Sequence, residues 1–150
     1  ELVSAFASRC KPSLIVGHSA GGMAAIYYHK AFPKAFFPKK MALLGTPARL
    51  SDFVESFRRI IGLNPEVIAA LEKDFLRRWS NPFSYYSMAN FAETLDIPGL
   101  IVHDKHDDIA PCEGAYQIAA NWPQAELLIT EGMGHGLQTE VVWKRVMELI

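Results

Sequence analysis

Four short apolar runs recur along this chain, at residues 13–17 (SLIVG), 40–45 (KMALLG), 99–104 (GLIVHD) and 125–130 (AELLIT). Each is bounded by proline, glycine or charged residues, and each is almost continuously hydrophobic rather than alternating. Such runs suit strands buried on both faces of a parallel sheet, because only there does every side chain meet a covering layer. Segments with helical periodicity lie between or after them, at about 22–32, 113–121 and 139–150. Strand and helix in alternation build βα units joined by right-handed crossovers. The fold class expected is therefore α/β, a parallel sheet with flanking helices. With 150 residues, half of them hydrophobic and 21% charged, the chain is one domain's worth and large enough to bury a core.

The interval from about 51 to 95 breaks this rhythm. It has no strand-like run and several helix signals. Asn64, Pro65 and Glu66 supply an N-cap, a proline at the first helical position and an acid in the first turn. Val67, Ile68, Leu71, Phe75 and Trp79 then recur at helical spacing, which predicts a packing face. Asn81 and Pro82 end that helix, and Phe83, Tyr85 and Tyr86 follow in an expected loop. The interval reads as a helical insertion, a cap or lid, between the second and third strands of one domain covering 1–150. At the other end, Leu2, Val3 and Phe6 predict the last turns of a helix that Lys11 and Pro12 break before the first strand. The chain begins with Glu1 rather than methionine, which predicts a cut or processed start.

Charge and composition exclude several classes of partner. The net charge is −1 and the basic residues occur only in short pairs such as Lys39-Lys40, Arg58-Arg59 and Arg77-Arg78. No basic stripe exists to follow a phosphate backbone, so nucleic acid is not an expected partner. No apolar run approaches the length of a membrane span and no signal peptide is visible. The two cysteines, Cys10 and Cys112, are expected to be free thiols in a reducing compartment, which points to the cytoplasm.

The stretch LIVGHSAGG at residues 14–22 places Ser19 between glycines directly after the first apolar run. A strand passing straight into a helix through G-x-S-x-G forces a tight, strained turn. Glycines at 17 and 21 are expected where a side chain would collide with the neighbouring strand or helix. The turn lifts the serine hydroxyl above the carboxyl end of the strand and aims the amide of Ala20 at the same point. The amino end of the following helix adds positive potential where an oxyanion would form. A random match in a chain this long has a chance of about 5%, so its placement between strand and helix carries the argument.

A serine nucleophile needs a histidine base, and the histidine needs an acid to fix its tautomer. Five histidines are available. His18 adjoins the serine, but consecutive side chains diverge at the turn. His29 falls inside the first helix, expected on its surface, while His103 ends the third run and is read as stabilising the loop that follows. His106 lies in a charged loop. His135 sits in EGMGHGL straight after the fourth run, where glycines permit a sharp loop, and the strand end sets it on the same rim as Ser19. For the acid, HDKHDDIAP offers Asp104, Asp107 and Asp108. Asp104 is placed to tie the loop by local hydrogen bonds, Asp107 lies near the apex, and Asp108 is its nearest competitor.

GHSAGG, HDKHDDIAP and GMGHG, in that order and each after an apolar run, resemble the α/β-hydrolase superfamily, whose chain order is nucleophile, acid, histidine. That family's strand-end motif commonly runs H-G-x-x-D-x-x-x-P. Setting His103 and Pro111 on it puts the family's acid on Asp107, with Asp104 replacing the usual glycine. The resemblance runs from the helix before Ser19 to the last helix and matches the carboxyl-terminal half to two-thirds of a hydrolase. It implies a serine hydrolase acting on a small-molecule acyl substrate such as an ester or thioester, with Ser19, Asp107 and His135 catalytic and the Ala20 amide in the oxyanion hole. No cofactor is implied. His18, Phe83 and Tyr85 are pocket candidates. Family members normally carry four more strands upstream, and the loop after their third strand gives a second oxyanion amide. The segment alone is therefore expected to be weakly active or inactive, and to self-associate through the bared sheet edge.

Two other readings exist. One is a non-catalytic binding member of the same fold. The other is metal chemistry, because HDKHDD gathers two histidines and three aspartates within six residues. Solvation of a charged loop accounts for that cluster without a metal, and a closed site needs a defined third ligand.

Overall fold

The computed structural model describes residues 11–35 and 37–150. The helix expected over the first ten residues, and Cys10 with it, lie outside the described residues. Four strands form one parallel sheet in the order β1-β2-β3-β4: β1 Leu14–His18, β2 Lys40–Leu44, β3 Gly99–Asp104 and β4 Ala125–Thr130. Register runs Leu14 opposite Lys40, Met41 opposite Gly99, and Gly99 opposite Ala125, so all four carboxyl ends reach a common rim.

Helices cover both faces, as the unbroken apolar runs require. On one face Met41, Leu43 and Ile101 pack with Met23 and Ile26 of α1 (Ala20–Ala31) and with Ala115 and Ile118 of α5 (Glu113–Ala120). On the other, Ala42, Leu44, Leu100 and Val102 meet Val142 and Val146 of α6 (Glu140–Glu148). Trp122 is fully buried against Gly99, where a Cβ would stand 2.1 Å from its indole. The outer strand β1 is thinly covered, with Val16 39% exposed.

Between β2 and β3 lie α2 (Leu50–Ile61), α3 (Pro65–Trp79), a 3-10 turn (Phe83–Tyr85, in place of the expected loop) and α4 (Met88–Ala92). Asn64 caps α3 as its sequence predicts, its side chain accepting from the Val67 amide at 2.9 Å. The expected packing face on α3 is corrected by the structure. No residue of α3 is buried, and Val67, Leu71 and Trp79 are exposed. Among the described residues the anchoring ring contacts are at the carboxyl end, through Phe75 against Phe83 at 4.9 Å and Tyr86 at 5.4 Å between ring centroids. Among the described residues no element covers the rest of the stripe. By contrast Met88, Ala89, Phe91, Ala92 and Leu95 belong to the main core, so the projecting part of the insertion is narrower than 51–95.

Candidate active site

At the rim, β1 turns into α1 with a single residue between them. Ser19 takes φ 52° and ψ −124°, a conformation costly for any residue with a side chain. Its own amide continues the sheet ladder by donating to the Leu44 carbonyl at 2.8 Å, which pins the turn to β2. The close approach of strand and helix is visible at Gly17, where a Cβ would lie 2.5 Å from Gly22 Cα. The second expected collision is corrected. A Cβ on Gly21 meets nothing within 4 Å among the described residues, whereas one on Gly22 would stand 2.0 Å from Thr46 Oγ1 in the loop after β2. The contact falls one residue further along because it is the third residue of α1 that crosses β2's exit loop.

Ser19, His135 and Asp107 come together over 116 residues of chain. Ser19 Oγ is 2.9 Å from His135 Nε2, and His135 Nδ1 is 2.8 Å from Asp107 Oδ2. A carboxylate only accepts, so His135 Nδ1 carries the hydrogen and Nε2 accepts from the serine hydroxyl. His135 is 18% exposed at its side chain, and the Asp107 carboxylate is fully buried. The loop that carries His135 has positive φ at Gly132 and Gly134, 82° and 59°. Leu137 beyond it, also at positive φ, is buried in the core and anchors the loop. The turn's Ala20 is the first residue of α1, so its N–H has no partner within the helix.

Asp107 Oδ1 accepts from the amides of Ile109 at 2.9 Å and Ala110 at 2.8 Å. Burial works to raise its pKa. Hydrogen bonds from His103, the Ala110 amide, His135 and the Ile109 amide outweigh burial and hold the carboxyl far below the usual range. Asp108 instead stays exposed, its backbone carbonyl accepting from Arg59. Asp104 ties the loops together. Its carboxylate takes the His106 amide at 3.0 Å, the Thr130 hydroxyl at 2.8 Å and the Met133 amide at 2.8 Å. Burial pushes this carboxyl up, yet those donors and the Gly134 amide bring it down to about 2.

The other histidines have separate tasks. His18 donates from Nε2 to the His135 carbonyl at 2.8 Å, and the two ring centroids are 5.0 Å apart. His103 is wholly buried and bonds the Ala110 carbonyl at 2.9 Å across the acid loop. His106 is exposed and faces Glu131. His29 is corrected from the surface to a partly buried position, its ring edge-on to Phe37 at 4.9 Å. His103 and His106 thus point to different partners, and among the described residues no group of three or more His, Cys, Asp or Glu is arranged to hold a metal. Phe83 is buried and its ring partner is Phe75, while Tyr85 is 45% exposed and touches Tyr86 and Phe91. Those rings sit in the insertion's own aromatic cluster.

Gly45 was not singled out by the sequence. Its φ is 56° and a Cβ there would crowd His135 Nδ1 at 3.3 Å. A glycine immediately after a buried strand was the available signal. Cys112 is a free, buried thiol, and no described helix is long and apolar enough to cross a membrane.

No family model matches the chain. A proline iminopeptidase of Xylella fastidiosa is 30% identical over 86 residues, which is 43% of this chain and 28% of that protein. The esterase domain of a Rhodothermus marinus protein superposes with a TM-score of 0.67 at 22% identity, covering 97% of this chain and 62% of that one. An α/β fold family hydrolase from Bacillus anthracis str. Sterne gives 0.66 at 19%, covering 96% of this chain and 68% of that one. The chain therefore spans less than two-thirds of the esterase domain and under a third of the iminopeptidase.

Proposed function

We propose, from the premise that this chain carries part of the α/β-hydrolase fold, that the full-length protein is a serine hydrolase cleaving an ester, thioester or related acyl bond. The observation that carries the proposal is the unbroken chain Ser19 Oγ–His135 Nε2 and His135 Nδ1–Asp107 Oδ2, at 2.9 and 2.8 Å.

In this reading Ser19 Oγ attacks the substrate carbonyl while His135 Nε2 takes its proton. Asp107 holds the ring and offsets the charge of the imidazolium. The oxyanion forms in front of the Ala20 amide at the amino end of α1, where the helix dipole favours negative charge. His135 returns the proton to the leaving group, leaving an acyl-Ser19. Water, activated by the same ring, then releases the acid. His18 restrains the loop through its bond to the His135 carbonyl. A reducing, cytoplasmic compartment belongs to the same proposal, and the free thiol of Cys112 supports it.

The test is turnover by the full-length protein on acyl esters of graded length, with an N-terminal proline arylamide included because of the iminopeptidase likeness. Ser19→Ala should lower turnover by about 10⁶ if the serine acts within a working triad. Hydrolysis at the parent rate by that variant rules the reading out.

A further inference from the structure

His103 is a buried imidazole that the proposed reaction leaves unused. It is the last residue but one of β3, four residues before Asp107, with no exposed side-chain surface, and its Nδ1 has no hydrogen-bond partner among the described residues. A buried polar atom left unmatched is costly, and an apolar side chain of the same size would avoid that cost. The reason for an imidazole must therefore lie at Nε2. That nitrogen faces two groups, the Ala110 carbonyl at 2.9 Å and Asp107 Oδ2 at 3.3 Å. A carbonyl and a carboxylate only accept, so Nε2 carries the hydrogen and shares it between them. The same Oδ2 holds His135 Nδ1 at 2.8 Å.

We infer that His103 is a positioning residue that acts through Asp107: it supplies a second imidazole N–H to the carboxylate oxygen that orients His135, and so limits how strongly that oxygen holds the His135 ring. The inference rests on the serine-hydrolase reading for its catalytic meaning. Its geometry is independent of substrate. With His103 counted, Asp107 has four donors for about four lone-pair directions, two amides on Oδ1 and two imidazoles on Oδ2. The two amides hold the carboxylate in place by themselves. Removing the His103 donor therefore changes the charge available on Oδ2 more than it changes where Oδ2 sits. A less-shared Oδ2 binds the His135 imidazolium more tightly. The ring then gives up its proton to the leaving group less readily.

Other charged groups face this cluster and stay constant in the test. His18 approaches His135 from the end of β1, Asp104 lies at the end of β3 with its own donors, and Asp108 stands exposed in the loop. Cys112, just before α5, feels Asp104, Asp107 and Glu113.

The experiment uses the full-length protein with ¹⁵N-labelled histidine. In the parent, His103 should show a protonated Nε2 and a bare Nδ1. The opposite tautomer would overturn the inference without any variant. His103→Asn keeps a polar group in the pocket but is too short to reach Oδ2. It should lower kcat about tenfold with little change in KM, and move both the His135 ring titration and the acidic limb of the pH–rate profile to higher pH by roughly half a unit. His103→Gln, whose amide nitrogen reaches the Nε2 position, should recover most of the rate and return the titration toward the parent. A purely structural His103 predicts otherwise: a lower kcat with the titration unmoved or shifted to lower pH, and no rescue by Gln. Either result overturns the inference, as does a His103→Asn protein indistinguishable from the parent. The ring titration needs no turnover, so failure of the hydrolase reading in the Ser19→Ala test remains separate from failure here.

Discussion

At the rim of the sheet each buried carboxylate has its donors, three hydrogen bonds on Asp107 with His103 Nε2 at 3.3 Å beside them, and a hydroxyl and backbone amides on Asp104, whereas along α3 Val67, Leu71 and Trp79 stand 46, 43 and 62% exposed. The rim groups sit on strand ends whose ladder continues past the strands themselves, through Ser19 to Leu44, Gly45 to Val102 and Lys105 to Thr130. Along α3 the aromatic anchor among the described residues is Phe75. The contrast separates two kinds of requirement. Chemistry at the rim needs fixed distances, which a saturated hydrogen-bond network on a rigid sheet provides. No described hydrogen bond joins α3 to Ser19, His135 or Asp107, so its position need not be held as closely.

Changing the rim should therefore cost stability and changing the stripe should not. Asp104→Asn weakens several charge-assisted bonds at once and should destabilise by about 1.5–3 kcal/mol in urea unfolding at neutral pH. The same carboxyl gives a pH signature. Although burial pushes it up, its donors bring it to about 2 in the fold against an ordinary 3.8. A carboxyl depressed on folding stabilises above its unfolded value and loses that contribution as pH falls through the folded one. Stability of the parent should drop from 3.8 down toward about 2, and Asp104→Asn should flatten that slope.

Gly22→Ala comes next. Its Cβ would press on the buried Thr46 side chain at 2.0 Å, and the elbow must shift to relieve it. The expected cost is about 1–3 kcal/mol, accompanied by a fall in kcat, both read on the same preparation. Smallest is Leu71→Lys, which should leave stability within about 0.5 kcal/mol. A loss of more than that would mean the stripe is covered after all and the contrast is drawn in the wrong place.

The same contrast explains what could be read from the chain alone. The four strands were legible because parallel strands buried on both faces leave continuous apolar runs, and each appears within a residue or so of the expected place. Ser19 and His135 could be singled out because each follows a strand end next to glycines, whereas Asp107 is picked from three neighbouring aspartates by the resemblance to the family's strand-end motif. Which glycine bears the tight contact was not legible. Gly21 and Gly22 are adjacent, and the choice depends on how α1 crosses the exit of β2. An amphipathic stripe reports an apolar face but not whether anything covers it, so the periodicity of α3 does not distinguish a buried helix from the exposed one observed. His29 was misplaced for a related reason, since its cover comes from Phe37 outside the helix. The second imidazole facing Asp107 Oδ2 was also invisible, because a shared oxygen requires the loop from His103 to Ala110 to close.

The most direct measurement of the central claim is covalent labelling of the full-length protein with a fluorophosphonate, followed by mass mapping. The account predicts a single adduct on the peptide carrying Ser19, absent in Ser19→Ala and formed much more slowly in Asp107→Asn. A parent protein that hydrolyses acyl esters while Ser19 remains unmodified would contradict it.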